Sequence, residues 1–175
     1  MIILITGPSH AGKTLLAQRL LEKLKFPYFS IDHLKMGLIR SNNTRLTPED
    51  DDELTEYLWP IVHEMVKTAI ENNQNLIVEG CYIPATWRKD FEKSYLDEIR
   101  FICLCMTDEY IENHFDKIQS QANIIENRLD DSYCTVNVLK QQNQLFRKTF
   151  EAAGELVFLI EENYEKEINK IFQSF

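Results

Sequence analysis

Five short apolar runs punctuate this chain: Ile2–Ile5, Tyr28–Ile31, Leu76–Val78, Phe101–Met106 and Leu156–Ile160. Each is continuous rather than alternating, which is how a strand buried on both faces of a parallel sheet reads. Between the runs the apolar spacing lengthens to the helical period. Leu16, Leu20 and Leu24 stand at i, i+4 and i+8 with Ala17 and Leu21 beside them, predicting a helix over Thr14–Leu24. Leu54, Leu58, Ile61, Val62, Met65, Val66, Ala69 and Ile70 predict a longer one. Its start signal is Thr47-Pro48-Glu49-Asp50, a capping hydroxyl, a proline for the first helical position and then acids; Asn72-Asn73 close it. A short helix is expected over His33–Arg40, and a helical stretch over Asp108–Ala153 with a polar break near Arg128–Ser132. A last helix is expected over Glu162–Phe175. Strands alternating with helices, joined by right-handed crossovers, predict a single three-layer α/β domain.

Charge and cysteine usage narrow the possible partners. The formal charge is −9, and the sequence shows no basic stripe of the kind that releases counterions from a long nucleic acid. A short polynucleotide end held in a local pocket stays open. No apolar run approaches the roughly 18–20 residues of a membrane span, so no membrane partner is expected. With the first strand starting at Ile2, no removable leader is expected either. Cys81, Cys103, Cys105 and Cys134 show no C-x-x-C spacing, and Cys103 and Cys105 alternate along an apolar strand, where packing is the expected role. Free thiols without an export signal predict a cytoplasmic protein.

The first strand runs into Gly7-Pro8-Ser9-His10-Ala11-Gly12-Lys13-Thr14, and the first helix follows. This fits the phosphate-loop pattern G-x-x-x-x-G-K-[ST] at every fixed position and in the strand-then-helix context that the pattern requires. Gly7 and Gly12 permit backbone angles that point consecutive N–H groups at a phosphate. Lys13 supplies a point charge for the β/γ-phosphates, and the Thr14 hydroxyl is a ligand for the accompanying Mg²⁺. A nucleoside triphosphate with Mg²⁺ is the expected cofactor, bound by residues 7–14.

In an open parallel sheet, ligands gather beyond the carboxyl ends of the strands. The second strand ends in Ser30-Ile31-Asp32-His33 and the third in Glu79-Gly80. Phosphoryl transfer to a hydroxyl needs positioned phosphates, a metal, a carboxylate near the attacking oxygen, and cations over the developing charge. Asp32 is expected as that base or as the holder of a metal-bound water, or else as the N-cap of His33–Arg40. Glu79 is expected to accept substrate hydroxyls or support the metal, or else to pair structurally with a cation. Lys35, Arg40 and Arg88 could each face the acceptor or solvent. Arg128, in the polar interruption Glu126–Asp131, suits a lid closing over the triphosphate. The run Asp50-Asp51-Asp52-Glu53 reads as acids at the positive end of a helix rather than as a metal cluster.

These residues together resemble the adenylate-kinase-like group of P-loop small-molecule kinases, which includes nucleoside monophosphate, shikimate and gluconate kinases and chloramphenicol phosphotransferase. The segment Ser30–Arg40 is also similar to bacterial sequences described as 2-phosphoglycerate-kinase-like. The resemblance covers essentially the whole chain. It implies a P-loop NTPase fold with a five-stranded parallel sheet in the order 2-3-1-4-5, with ATP and Mg²⁺ as cofactors. It also puts Asp32 in the place of the acid that meets the acceptor hydroxyl. On this pattern residues 1–175 form one kinase domain, with a helical substrate-binding insertion at about 33–74 and a lid at about 116–135. Two departures matter. Only Arg128 lies in the lid, with Arg147 well beyond it, and Glu79-Gly80-Cys81-Tyr82-Ile83-Pro84 lacks the arginine-bearing signature that adenylate kinases carry after the third strand. The expected activity is an ATP-dependent phosphotransferase acting on a hydroxyl of a small polar metabolite. The alternatives are a nucleotide or nucleic-acid-end kinase and a non-catalytic nucleotide-binding regulatory module.

Overall fold

Strand β1 (Ile2–Thr6) is buried at all five positions, as a central strand covered on both faces must be. It lies in a five-stranded sheet with β2 (Tyr28–Ser30), β3 (Leu76–Glu79), β4 (Ile99–Met106) and β5 (Val157–Ile160), in the order β2-β3-β1-β4-β5. β1 and β2 each pair parallel with β3, and β4 pairs parallel with β5. The helices are α1 (Lys13–Leu24), α2 (Ile31–Arg40), α3 (Asp51–Glu71), the single turn α4 (Lys93–Leu96), α5 (Asp108–Gln121), α6 (Val136–Ala152) and α7 (Tyr164–Gln173). This computed structural model describes residues 1–121, 134–173 and 175. The five expected strands and their order are therefore found.

The chain divides into two compact units, Met1–Thr6 with Ala17–Phe101 and Gly7–Leu16 with Ile102–Phe175. In the first, Ile2 and Leu4 of β1 and Val78 of β3 join Leu54, Leu58, Val62 and Val66 of α3 in one core that also holds Tyr82 and Trp87. Each such aliphatic side chain contributes roughly 1.5–3 kcal/mol by leaving water. In the second, Met106, Tyr110, Ile111, Leu139 and Ile160 form the core, with Tyr164 packed against it. Cys103 and Cys105 of β4 are fully buried there, and all four cysteines are free thiols. The hydrogen bond with Cys105, and then burial, push the Cys103 thiol up from its ordinary value, so it stays protonated.

Several element boundaries differ from the sequence expectation, each for a local reason. Ile31 opens α2 instead of ending β2, and its side chain fills the space where a Cβ on Gly80 would stand, 2.9 Å away. Leu156 is 72% exposed and stays out of β5. The long helix begins at Asp51, not Pro48. Asp50 Oδ2 instead accepts from the Thr47 N–H at 2.7 Å and the Thr47 hydroxyl at 3.0 Å. The Asp50 N–H donates to the Thr47 carbonyl, so Thr47–Asp50 closes as a turn with proline in its second place. At the other end the expectation holds: Asn72 caps α3 and Asn73 takes a left-handed φ of 53°. Among the described residues, no helix is long and apolar enough to cross a membrane.

Candidate active site

The loop from Gly7 to Thr14 is shaped by its glycines and by one lysine. Gly7 has φ 152° and Gly12 φ 84°. A Cβ on Gly7 would lie 2.3 Å from the Leu104 carbonyl oxygen of β4, so the first loop position has no room for a side chain. His10 also takes a positive φ of 65°, uncommon outside glycine and a mark of a constrained turn. Lys13 is 8% exposed, and its ammonium donates to the Pro8 carbonyl at 2.8 Å. The lysine charge is thus held inside the loop by a carbonyl of the loop itself, a partner that an anionic oxygen would outcompete. The first turn of α1 carries no acidic residue, whereas that of α3 carries three. The positive end of α1 therefore has no acid in its own first turn to offset it.

The acids expected after β2 and β3 lie in the other unit. Glu79 ends β3, is 1% exposed, and stands in register with Ser30 of β2 and Ile5 of β1. Asp32 is not the N-cap of its helix. Ser30 occupies the cap position, its side chain makes no capping bond, and Asp32 falls in the first turn. Its carboxylate instead meets Lys35 one turn on, with Oδ1 2.8 Å from Nζ. The same Nζ donates to the Tyr82 hydroxyl at 2.8 Å, and that hydroxyl donates to Asp51 Oδ1 at 3.0 Å. A four-residue chain Asp32–Lys35–Tyr82–Asp51 therefore ties α2, the segment after β3 and the start of α3 together. Burial, reinforced by the charges of Cys81, Asp51 and Asp32, pushes the Tyr82 phenol far above its ordinary value and keeps it a donor.

The remaining expected cations are placed differently. Arg40 is exposed in the last turn of α2. Arg88 is exposed, with its guanidinium 4.5 Å from the Trp87 ring centroid. Arg128, and the polar break around it, lie outside the described residues. Tyr82 and Asp51 escaped the sequence reading: the first stood in the run leaving β3, the second among helix-start acids. Their only signal is a contact across 31 residues of chain.

No family model and no curated protein matches the sequence. Solved structures do match, over nearly the full length of each chain. A deoxyadenosine kinase from M. mycoides with bound dATP superposes with a TM-score of 0.59 at 14% identity, covering 99% of this chain and 98% of its own. A shikimate kinase from Aquifex aeolicus gives 0.54 at 14%, covering 99% and 95%. A sugar kinase from Janibacter sp. gives 0.53 at 16%, covering 98% and 92%. At such identities the likeness bears on the fold and leaves the acceptor open. With its phosphate-loop sequence between β1 and α1 and its sheet order 2-3-1-4-5, this chain has the three-layer α/β/α fold of the P-loop small-molecule kinases.

Proposed function

We propose that this protein is an ATP-dependent phosphotransferase that phosphorylates a hydroxyl of a small polar metabolite. The observation that carries this reading is the phosphate loop. Its lysine charge is turned inward onto the Pro8 carbonyl, and the helix that follows opens without an acid. Backbone N–H groups of residues 7–14 would bind the β- and γ-phosphates, and Lys13 would exchange its carbonyl partner for a phosphate oxygen. The candidate metal ligands are all oxygen, the Thr14 hydroxyl and the Asp32 carboxylate, which suits a hard cation. Thr14 would hold Mg²⁺ directly, and Asp32 would either hold a water of that ion or act as the base; the ion would neutralise phosphate charge. As base, Asp32 would take the proton of the attacking hydroxyl. Lys35 keeps that carboxylate oriented through the 2.8 Å ion pair. Glu79 would accept hydroxyls of the acceptor, with Lys35, Arg40 and Arg88 as candidate contacts to its anionic groups. Arg128 is the candidate cation for charge on the transferring group. Four free thiols support a reducing, cytoplasmic setting.

A metabolite panel screened for acceptor-stimulated ADP release, with products identified by mass spectrometry, tests the activity. Lys13→Ala tests the site. Its lost charged hydrogen bonds are worth about 1.5–3 kcal/mol, so ATP affinity should fall roughly 10- to 150-fold while the fold is retained. Calorimetry showing equal ATP affinity in the two proteins would refute the assignment.

A further inference from the structure

Tyr164 opens α7 directly after β5 and reaches back 152 residues to the phosphate loop, where its hydroxyl donates to the Gly12 carbonyl at 2.9 Å. The same carbonyl accepts the Leu16 N–H at 3.0 Å, so it is also the first acceptor of the α1 ladder. Both its lone pairs are taken. The Tyr164 ring lies against Gly12 so closely that a Cβ there would sit 2.5 Å from one ring carbon and 2.8 Å from the hydroxyl oxygen. Gly12 is therefore held in its left-handed φ from the outside as well as by its own freedom. Tyr164 is itself anchored, since it packs against the core of the same unit, which includes the 5% exposed Tyr110.

The Gly12 carbonyl and the Lys13 N–H belong to one peptide group. A donor on the carbonyl both fixes the plane of that peptide and polarises it, making its N–H a better donor in turn. That N–H lies at the start of α1, among the groups that a phosphate would use.

We propose that Tyr164 is a positioning residue for the phosphate cradle: its hydroxyl sets the orientation of the Gly12–Lys13 peptide, and so the affinity of the loop for a polyphosphate, without touching the nucleotide's base or sugar. This rests on the nucleotide-site reading above, and the experiment separates the two. Tyr164→Phe keeps the ring over Gly12 and removes only the donor. Calorimetry on the whole protein gives the dissociation constants of Mg²⁺-ATP and Mg²⁺-tripolyphosphate, and thermal melting without ligand gives a stability control. A single net hydrogen bond predicts a weakening of about 2- to 10-fold. It should be equal for both ligands, with the ligand-free melting point lowered by a few degrees at most. Unchanged affinities in Tyr164→Phe, alongside a Lys13→Ala variant that has lost ATP, would overturn the proposal and leave the nucleotide site standing. A loss for ATP but not for tripolyphosphate would also overturn it, by placing Tyr164 against the nucleoside. If wild type and Lys13→Ala bind ATP equally, the nucleotide-site reading fails and takes this proposal with it.

Discussion

Tyr82→Phe is the most discriminating single change for the chain of residues around Asp32. Tyr82 is 2% exposed, so its ring belongs to the core and phenylalanine preserves that burial. What is lost is one oxygen that accepts from Lys35 at 2.8 Å and donates to Asp51 at 3.0 Å. Hydrogen bonds to charged groups contribute about 1.5–3 kcal/mol each. Two effects reduce the sum. Lys35 keeps Asp32 as its partner, and Asp51 is exposed, so water replaces the lost donor there. A net cost of about 1–2 kcal/mol is expected, or roughly 2–8 °C in melting temperature for a chain of this size. The alkaline side gives a second, independent reading. Tyr82 favours its neutral form in the fold, against an ordinary value of 10.0. Its contribution is therefore fully present below pH 10 and is lost as pH rises above it, because the unfolded chain releases that proton first. The slope is up to about 1.4 kcal/mol per pH unit from this one group. Urea unfolding of both proteins between pH 8 and roughly pH 11 should show wild type losing stability more steeply than Tyr82→Phe. A variant within about 0.5 kcal/mol of wild type at neutral pH, with a parallel alkaline slope, would refute the network.

Asp32→Asn should lower turnover by about 10²–10⁴-fold on an identified acceptor while ATP affinity measured by calorimetry changes little. Its stability cost should stay below about 1 kcal/mol, because the Asp32 side chain is 34% exposed and its ion pair with Lys35 is screened; normal turnover with a lower melting point would make the acid structural. Gly7→Ala should cost roughly 1–3 kcal/mol from overpacking against the Leu104 carbonyl, with added backbone strain, and should lower ATP affinity, both read by melting with and without ATP. Gly80→Ala presses a methyl against the Ile31 side chain at 2.9 Å, so it should destabilise by about 1–3 kcal/mol without weakening ATP binding.

The sheet was legible because strands buried on both faces are continuous apolar runs, and the phosphate loop was legible because its residues are contiguous. Boundaries slipped where one side chain arbitrates between two structures. Asp50 accepts both polar groups of Thr47, so the capping signal was spent on a turn and α3 started later. The role of Asp32 is read from its partner, and that partner is a lysine on the next turn of a helix whose cap lies two residues earlier. Tyr82 and Tyr164 were illegible for a common reason. Each hydroxyl bonds a residue far off in the chain, 31 positions away for Tyr82 and 152 for Tyr164, and a single tyrosine carries no spacing that marks it.

Gly7 and Gly12 are fixed by their neighbours, the Leu104 carbonyl and the Tyr164 ring, before any nucleotide is considered. This separates the motif into two parts that answer to different selective pressures. A descendant that lost the proposed activity would still be held to both glycines by this packing, at about 1–3 kcal/mol for Gly7, whereas the Lys13 ammonium contributes a hydrogen bond to a carbonyl of its own loop. The glycine skeleton of the motif would thus outlive its chemistry, and in sequences drifting from this one the lysine is the position whose replacement would announce a lost activity.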